Sequence, residues 1–280
     1  MRIRLSYATA QKLSFKGGRS VELRTFYFMI DGKCVFDCAF CTHARNSKSD
    51  LKFLSRVVWI EYSLDEVLKA MENLEKLPKR LCFQVVSSPG YCERTLKVVE
   101  KFVKFGIPIS VNLRPKRIEE VENLIELGVD RIGIAMDAAT PEIFERTRDG
   151  KWEDLYNILK EAVGKFPKRI VTHLIVGMGE TEEEAVEFLR RMKRIGVKVG
   201  IFGFTPMKGT RMENHPAVDF DYYRRIKILS LKLDGVDDVV DPILTPTGCP
   251  NCDKPFYDVS PLTMLKRRGR MKDDDSFRKF

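Results

Sequence analysis

The sequence predicts an α/β protein whose parallel sheet curls into a partial (βα)6, TIM-like barrel followed by a C-terminal extension. Two observations predict this class. Apolar strand segments alternate with amphipathic helices along the chain, and several of the strands alternate large apolar with small or polar residues. Regular strand–helix alternation with connections of this length is typical of parallel sheets. A doubly wound open sheet is the competing architecture.

Six strands and six helices are predicted. The strands span 25–30, 81–86, 108–113, 131–136, 170–176 and 199–204, and the helices span 64–74, 93–105, 118–127, 152–163, 181–195 and 219–234. Ser63 with Glu66, and Thr181 with Glu184, form capping boxes that mark two of the helix starts. We expect the barrel to occupy residues 1–235 and the extension to occupy residues 236–280 and to cover the mouth of the barrel, where the active site lies.

The residue alternation within the strands favours the barrel. A sheet covered by helices on both faces reads as nearly continuous apolar sequence, whereas a barrel strand has one face towards the lumen. Large apolar residues of the predicted strands would face the helices: Phe83, Val85, Val111, Leu113, Ile134 and Met136. The opposite face would line a polar lumen with Gln84, Ser110, Asn112, Arg114 and Asp137. His173 has the same inward position.

Composition limits the function classes. The chain has 280 residues, 44% of them hydrophobic, and a net charge of +9. Its basic residues are spread over the predicted helices among many acids, so we do not expect nucleic-acid binding. The N-terminus has no apolar block typical of a signal peptide or membrane span, which favours a cytoplasmic location.

A compact cysteine motif follows the first predicted strand. Cys34, Cys38 and Cys41 have C-x3-C-x2-C spacing, and no fourth cysteine follows at ferredoxin spacing. Three thiolates can hold three irons of a [4Fe–4S] cluster and leave the fourth iron open for a small molecule. A structural zinc or buried thiols are the alternative, although zinc sites usually pair two such motifs.

This motif, with aromatic Phe40 before its last cysteine, resembles that of the radical S-adenosylmethionine (SAM) superfamily. The resemblance implies that the open iron binds SAM and that reductive cleavage gives a 5′-deoxyadenosyl radical. It also implies a reductant such as ferredoxin or flavodoxin. Further SAM contacts follow from the resemblance, in the segments that contain Ser87 and Ser88, Asp137, Ile175, Gly177 and Glu180, and Phe204.

Within the superfamily, the chain is similar to the biotin synthase and lipoyl synthase branch. Biotin synthase holds a second cluster with cysteines on three strands. Only Cys82 matches these cysteines, because Ser110 or Asn112 and Val171 stand at the other positions. The chain more closely resembles one chain of the two-chain lipoyl synthases, in segments 44–47, 54–59 and 247–257.

Cys249 and Cys252 form a C-P-x-C motif, which can direct two thiols towards one metal. We expect a second, auxiliary cluster held by Cys249, Cys252 and Cys92. A zinc half-site or a redox dithiol is the alternative. Cys82 is interpreted as an inward-facing core residue.

The resemblance implies insertion of sulfur into octanoyl-lysine on a lipoyl carrier protein, with a paralogous radical SAM chain as a partner. Another radical SAM reaction, such as biotin-synthase-like sulfur insertion, methylation or rearrangement, and a non-catalytic iron–sulfur carrier remain alternatives.

Overall fold

A computed structural model of the protein describes residues 1–17, 23–236 and 245–253. The strands are β1 (Arg2–Ser6), β2 (Thr25–Ile30), β3 (Phe53–Leu54), β4 (Val57–Ser63), β5 (Arg80–Val85), β6 (Ile109–Leu113), β7 (Arg131–Ile134), β8 (Ile170–Val176) and β9 (Lys198–Gly203). The helices are α1 (Tyr7–Lys12), α2 (Leu64–Glu72), α3 (Tyr91–Val103), α4 (Glu119–Glu126), α5 (Pro141–Thr147), α6 (Trp152–Lys165), α7 (Glu182–Arg194) and α8 (Phe220–Leu233).

The sheet contains the predicted parallel barrel and an antiparallel addition. Its strand order is β3-β4-β1-β2-β5-β6-β7-β8-β9, and the pairs from β2 to β9 are parallel. This curled α/β sheet confirms the predicted partial barrel. All six predicted strands are present, each within one residue of its expected bounds except β7, which ends at Ile134, two residues earlier than expected.

The antiparallel part, β1, β3 and β4, was not predicted. Strand β1 pairs with both β2 and β4, so it extends the sheet beyond the first barrel strand. Strand β3 pairs with β4 and forms a hairpin with it through Ser55, whose φ of 50° is left-handed. The hairpin, residues 53–63, lies next to the cysteine motif in the sequence.

Packing separates an outer core from the barrel interior. The outer core lies between the sheet and the helices and includes Phe28, Phe83 and Phe102, whose ring centroids are 5.0–5.1 Å apart. A smaller interior cluster contains Tyr27, Met29, Trp59, Cys82 and Val86. The expected outward positions are confirmed for Phe83, Val111, Leu113, Ile134 and Met136, which all belong to the outer core.

Residues 245–253, called the strap below, cross the N-terminal half of the barrel. Thr247 Oγ1 accepts a hydrogen bond from the Ile201 amide of β9 at 2.9 Å. At the other end, the Asp253 carboxylate accepts from the backbone amides of Arg24 and Thr25, at 2.7 and 2.8 Å, where β2 begins. We expected the extension to cover the active end of the barrel, but the strap lies at the opposite end. The rest of the C-terminal motif, 254–257, lies outside the described residues.

Helix α1 was also not predicted, and neither was helix α5. Thr140 caps it by accepting from the Ile143 amide, and Pro141 occupies the first turn, where its missing N–H costs nothing. Its C-terminal end brings Thr147 to the cysteine motif. Among the helices of the described residues, none is long and apolar enough to cross a membrane.

Candidate active site

A cavity of about 340 Å³ opens at the C-terminal ends of the barrel strands. All three cysteines of the first motif line it, together with residues from β2, β5, β6, β8 and β9 and from the hairpin. Active sites of (βα) barrels form at this end because the loops that follow the strands meet there.

The backbone of the cysteine loop is held by hydrogen bonds that it donates to two neighbouring segments and by one hydrogen bond within the loop. The Val35 amide donates to the Ser87 carbonyl at 2.9 Å, and the Ala39 amide donates to the Thr147 carbonyl at 2.7 Å. The Phe36 amide donates to Cys34 Sγ at 3.4 Å. The loop is thus positioned by the scaffold rather than by a metal alone, which lowers the entropic cost of cluster binding.

The environment of the thiols favours their neutral forms while they carry no metal. Burial and the neighbouring Cys38 raise the pKa of Cys41 to about 12, and burial also raises the pKa of Cys34. A desolvated thiolate needs positive charge nearby. Iron ions bound by these thiolates would supply that charge, so the donor set fits a cluster better than it fits free reactive thiols.

Two buried guanidinium groups also face the loop. Arg114 Nη1 lies 4.0 Å from Cys38 Sγ, and its guanidinium carbon lies 3.8 Å above the centroid of the Phe36 ring. Arg148 forms an ion pair with Asp137 and donates to the Ala135 carbonyl. Burial lowers the pKa of Arg114, with a smaller contribution from the nearby Arg148. These cations provide a polar end of the cavity suited to an anionic group.

Asp137 follows β7 in a left-handed conformation with a φ of 62°. For a residue other than glycine this backbone is unfavourable and persists only where the surroundings fix it. Here the Asp137 amide donates to His173 O at 2.9 Å, and Asp137 O accepts from Ile175 N at 2.8 Å. The turn therefore directs the carboxylate into the cavity towards Arg148.

The structure separates the residues expected to contact SAM into two groups. Five of them line the cavity: Phe40, Ser87, Asp137, Ile175 and Phe204. Three others, Ser88, Gly177 and Glu180, are not among its lining residues. Ser88 Oγ instead accepts a hydrogen bond from the Arg94 side chain, and this contact holds the Ser88 segment outside the cavity lining.

Glu180 holds the turn that contains Gly177. Its two carboxylate oxygens accept from the amides of Gly177 and Met178, and Tyr222 Oη donates to Oε1 at 2.8 Å. Gly177 has a φ of 95°, and an added Cβ would lie 2.7 Å from Val218. These residues therefore shape the loop that presents Ile175, and their direct contact with SAM stays a prediction.

Sequence reasoning missed most of the apolar side of the cavity. The lining there comes from the interior cluster and the hairpin, namely Tyr27, Leu54, Val57, Trp59, Val86 and Phe202. It also missed Arg148, which follows α5 with no motif signal, and His43, a buried residue whose pKa is lowered by desolvation. The alternation of residues along β9 could have indicated that Phe202 faces the cavity. The hairpin residues could not be placed there because β3 and β4 were not predicted.

The remaining cysteines lie in two separate places. Cys92 is the second residue of α3, and burial raises its pKa to about 11 with a hydrogen bond to Tyr91 opposing this effect. Cys249 Sγ lies 3.7 Å from Ser110 Oγ near the start of β6, and Cys252 Sγ lies 3.5 Å from Tyr27 Oη on β2. The strap thus places its two cysteines at the N-terminal half of the barrel, while Cys92 lies beyond the C-terminal end of β5.

Fold and site together define an enzyme of the radical SAM class. Residues 30–192 match the model of the radical SAM superfamily, and the chain belongs to that family. A biotin synthase of Coxiella burnetii (strain Dugway 5J108-111) is 26% identical over 225 residues, which cover 76% of this chain and 67% of the relative. An uncharacterized protein of Methanocaldococcus jannaschii is 34% identical over 128 residues, 44% of this chain, and the match spans only 33% of that relative.

Solved structures agree at the level of the fold. Methylornithine synthase (PylB) superposes with a TM-score of 0.63 at 18% identity, covering 81% of this chain and 66% of the other. HydG, a maturase of the [FeFe]-hydrogenase, gives a TM-score of 0.61 at 13% identity, covering 76% and 50%.

The family's cofactors are a [4Fe–4S] cluster and SAM, and the site fits both. Cys34, Cys38 and Cys41 would hold the cluster, and the cleaved SAM supplies a 5′-deoxyadenosyl radical to the cavity. Like radical SAM enzymes in general, the protein uses an external reductant.

Proposed function

We propose that this chain inserts sulfur into an octanoyl group carried on a lysine of the lipoyl carrier protein. The observation that carries the proposal is the apolar side of the cavity, which lines the same space as the cysteine loop. Tyr27, Val86 and the hairpin residues Leu54, Val57 and Trp59 all line the same cavity as Cys34. A saturated hydrocarbon chain is the substrate class that such a wall favours, because its burial removes apolar surface from water.

The polar end and the apolar end of the cavity would bind different molecules. Arg114, Arg148 and Asp137 provide charges for the polar parts of SAM, and Asp137 would bind the ribose hydroxyls. The apolar wall would hold the alkyl chain with a C–H bond directed at the radical and would exclude water from the reacting carbon.

The balance of the reaction is simple. Each insertion replaces one C–H bond of the octanoyl chain with a C–S bond, and the hydrogen atom leaves on 5′-deoxyadenosine. The external reductant supplies the electron that cleaves SAM, and the sulfur comes from a sulfide of an auxiliary iron–sulfur cluster, which accepts one electron as the C–S bond forms.

Similarity to biotin synthase supports a second candidate, sulfur insertion into a different alkyl substrate. The second-cluster cysteines of biotin synthase are only partly matched here, since Ser110 and Val171 occupy strand positions where that enzyme has thiols. The two candidates share the chemistry and differ in the substrate. Dethiobiotin is therefore the proper competitor in the test.

The experiment is an anaerobic reaction of the reconstituted full chain with SAM, dithionite and an octanoyl-lysine peptide, analysed by mass spectrometry. We expect 5′-deoxyadenosine together with thiolated octanoyl peptide, and no thiolated dethiobiotin. Abundant 5′-deoxyadenosine with thiolation of dethiobiotin alone would favour the second candidate. Cleavage of SAM without thiolation of either substrate would refute sulfur insertion.

A paralogous radical SAM chain is proposed as the partner that completes the second insertion. Its support is the resemblance to two-chain lipoyl synthases and the cysteine count, since seven cysteines allow one auxiliary cluster beside the first. We expect singly thiolated peptide with this chain alone and the doubly thiolated product only when the second chain is added. Full conversion by this chain alone would remove the need for a partner.

A further inference from the structure

A layer of sulfur-bearing side chains crosses the barrel below the cavity. In the register of the sheet, Tyr27 lies opposite Cys82, and Cys82 lies opposite Ser110. These three inward positions are at the same height in neighbouring strands. The strap brings Cys252 to Tyr27 and Cys249 to Ser110, at 3.5 and 3.7 Å.

We infer that Cys82, Cys249 and Cys252 are the ligands of the auxiliary iron–sulfur cluster, which lies inside the barrel, and that Cys92 is not a ligand. The layer contains one thiol from the barrel wall and two from the strap. The inference rests on the proposed function only for the role of the cluster as sulfur donor. Which residues bind the cluster does not depend on the substrate.

Hydrogen-bond donors surround these sulfurs. The amide groups of Asn112 and Gln84 donate to Cys82 Sγ at 3.3 and 3.2 Å. Buried donors directed at sulfur stabilise thiolate and cluster sulfide charge, and such contacts set the properties of iron–sulfur sites. Asn112 and Gln84 also line the cavity above, so they separate it from the layer by a single side-chain thickness.

A buried cation lies at the edge of the layer. Arg80, which is 4% exposed, donates to Ser110 Oγ at 2.9 Å and forms an ion pair with Asp130 at 2.6 Å. Ser110 Oγ thus contacts both the guanidinium of Arg80 and the thiol of Cys249. The positive charge of Arg80 complements the negative charge that thiolate and sulfide ligands would bring to this side of the layer.

The strap is anchored on both sides of Cys249 and Cys252. Gly248 approaches the backbone of Gly200 so closely that an added Cβ would lie 3.1 Å from its Cα. On the other side, the Asp253 amide donates to Tyr27 Oη at 2.7 Å. Two thiols are therefore fixed at the layer by contacts that do not involve sulfur, as expected for a preorganised ligand pair.

The kind of metal centre follows from the spread of the thiols. The thiols of the layer lie beside three different strands, since Cys82 belongs to β5, Cys249 contacts Ser110 of β6 and Cys252 contacts Tyr27 of β2. A cluster binds each thiolate at a different iron and therefore takes ligands from separate directions. We therefore assign the layer to a cluster and not to a zinc ion.

The position of Cys92 excludes it from this set. It belongs to α3 outside the barrel wall, and the charged groups near its thiol are Glu120 and Lys116. Both follow the C-terminal end of β6, whereas Cys249 contacts Ser110 near the start of that strand. Cys92 is thus a matched control for Cys82, since both are partly or fully buried single thiols.

The test measures iron and sulfide in anaerobically reconstituted full-length chains. The starting variant is Cys34→Ala/Cys38→Ala/Cys41→Ala, which removes the first cluster and should retain about two to four irons per chain. Adding Cys82→Ala should remove that iron and its charge-transfer absorbance, and adding Cys92→Ala should leave both unchanged. Cys82→Ser and thermal melting of each variant check that the loss is not caused by unfolding.

Each outcome decides the assignment. Iron retained after Cys82→Ala in a folded chain, iron lost after Cys92→Ala, or zinc in place of iron would overturn it. The result is independent of the proposed function: iron loss with no octanoyl thiolation by the wild type would support the site and reject the substrate. Thiolation that persists in the single variant Cys82→Ala would reject the site and support the substrate.

Discussion

Arg148 and Asp137 form a buried ion pair at the centre of the site, although they belong to different segments of the chain. The side chain of Arg148 is 6% exposed and that of Asp137 is 13% exposed. Burial opposes the charge of Arg148, but Asp137 together with the neighbouring Cys38 and Cys41 raises the pKa of the guanidinium. The guanidinium therefore stays charged, and the ion pair holds the Asp137 carboxylate in one orientation.

The first prediction follows from that pair. Asp137→Asn should weaken SAM binding about ten- to 150-fold, because a hydrogen bond to a charged group contributes about 1.5 to 3 kcal/mol. Equilibrium dialysis with the cluster-loaded chain measures the affinity. Asp50→Asn, which alters an exposed carboxylate paired with Lys52, is the control and should bind SAM normally. Equal affinity of Asp137→Asn and the control would remove Asp137 from the SAM site.

A second prediction concerns the cluster loop. Cys38→Ala should abolish SAM cleavage, because two thiolates no longer fix the cluster with one open iron. The readouts are cluster absorbance and 5′-deoxyadenosine formation under dithionite. Phe36→Leu, in which a neighbouring residue of the same loop changes but no ligand is lost, is the control and should keep its iron. Undiminished cleavage by Cys38→Ala would contradict the ligand assignment.

The third prediction concerns the hairpin wall and rests on the proposed substrate. Trp59 is 5% exposed and lines the cavity, so Trp59→Ala should enlarge the space for the alkyl chain. We expect a shift in kcat/KM from octanoyl towards decanoyl peptide, and a loss of about 3 to 5 kcal/mol in unfolding free energy. Trp59→Phe should shift the preference less. An unchanged ratio of octanoyl to decanoyl turnover would show that the chain does not contact this wall.

The fourth prediction concerns the cluster-free chain at high pH. The pKa of Cys41 is raised from 9.0 to about 12 in the folded state, so the folded chain holds this proton more tightly than the unfolded chain. Its contribution to stability is complete below pH 9.0 and is lost as the pH rises towards 12. Urea unfolding between roughly pH 8 and pH 10.5 should therefore show a steeper decline for the wild type than for Cys41→Ser, by up to about 1.4 kcal/mol per pH unit. Parallel declines would contradict the raised pKa.

The parallel barrel could be predicted because each of its strands is followed by an amphipathic helix, and both patterns are local. Strands β1, β3 and β4 could not be recognised in this way. Segment 2–6 alternates charged and apolar residues in only five positions, and β3 has two residues, so the stability of these strands comes from pairing across the sheet. Helix α5 had a visible signal, Thr140 followed by Pro141, which was interpreted as part of a SAM-binding segment.

The site was predictable where one short segment carries the chemistry. Cys34, Cys38 and Cys41 lie within eight residues, so their spacing alone indicates a shared function. Arg148 and the strap cysteines act through contacts between segments. Cys249 and Ser110 are 139 positions apart, and no local pattern links them. The structure was needed to show that Cys82 lies in the same layer as the strap cysteines.

The strap also sets an order of assembly. Its contacts with the first barrel strand join positions 225 to 229 residues apart, from Cys252–Tyr27 to Asp253–Arg24. Contacts of such separation form late, since they require closure of nearly the whole chain. During synthesis the barrel strands can pair before residue 253 has been made. The N-terminal end of the barrel is then not yet covered by the strap. For the auxiliary cluster proposed at that end, iron and sulfide would therefore have to enter before Asp253 docks on the start of β2.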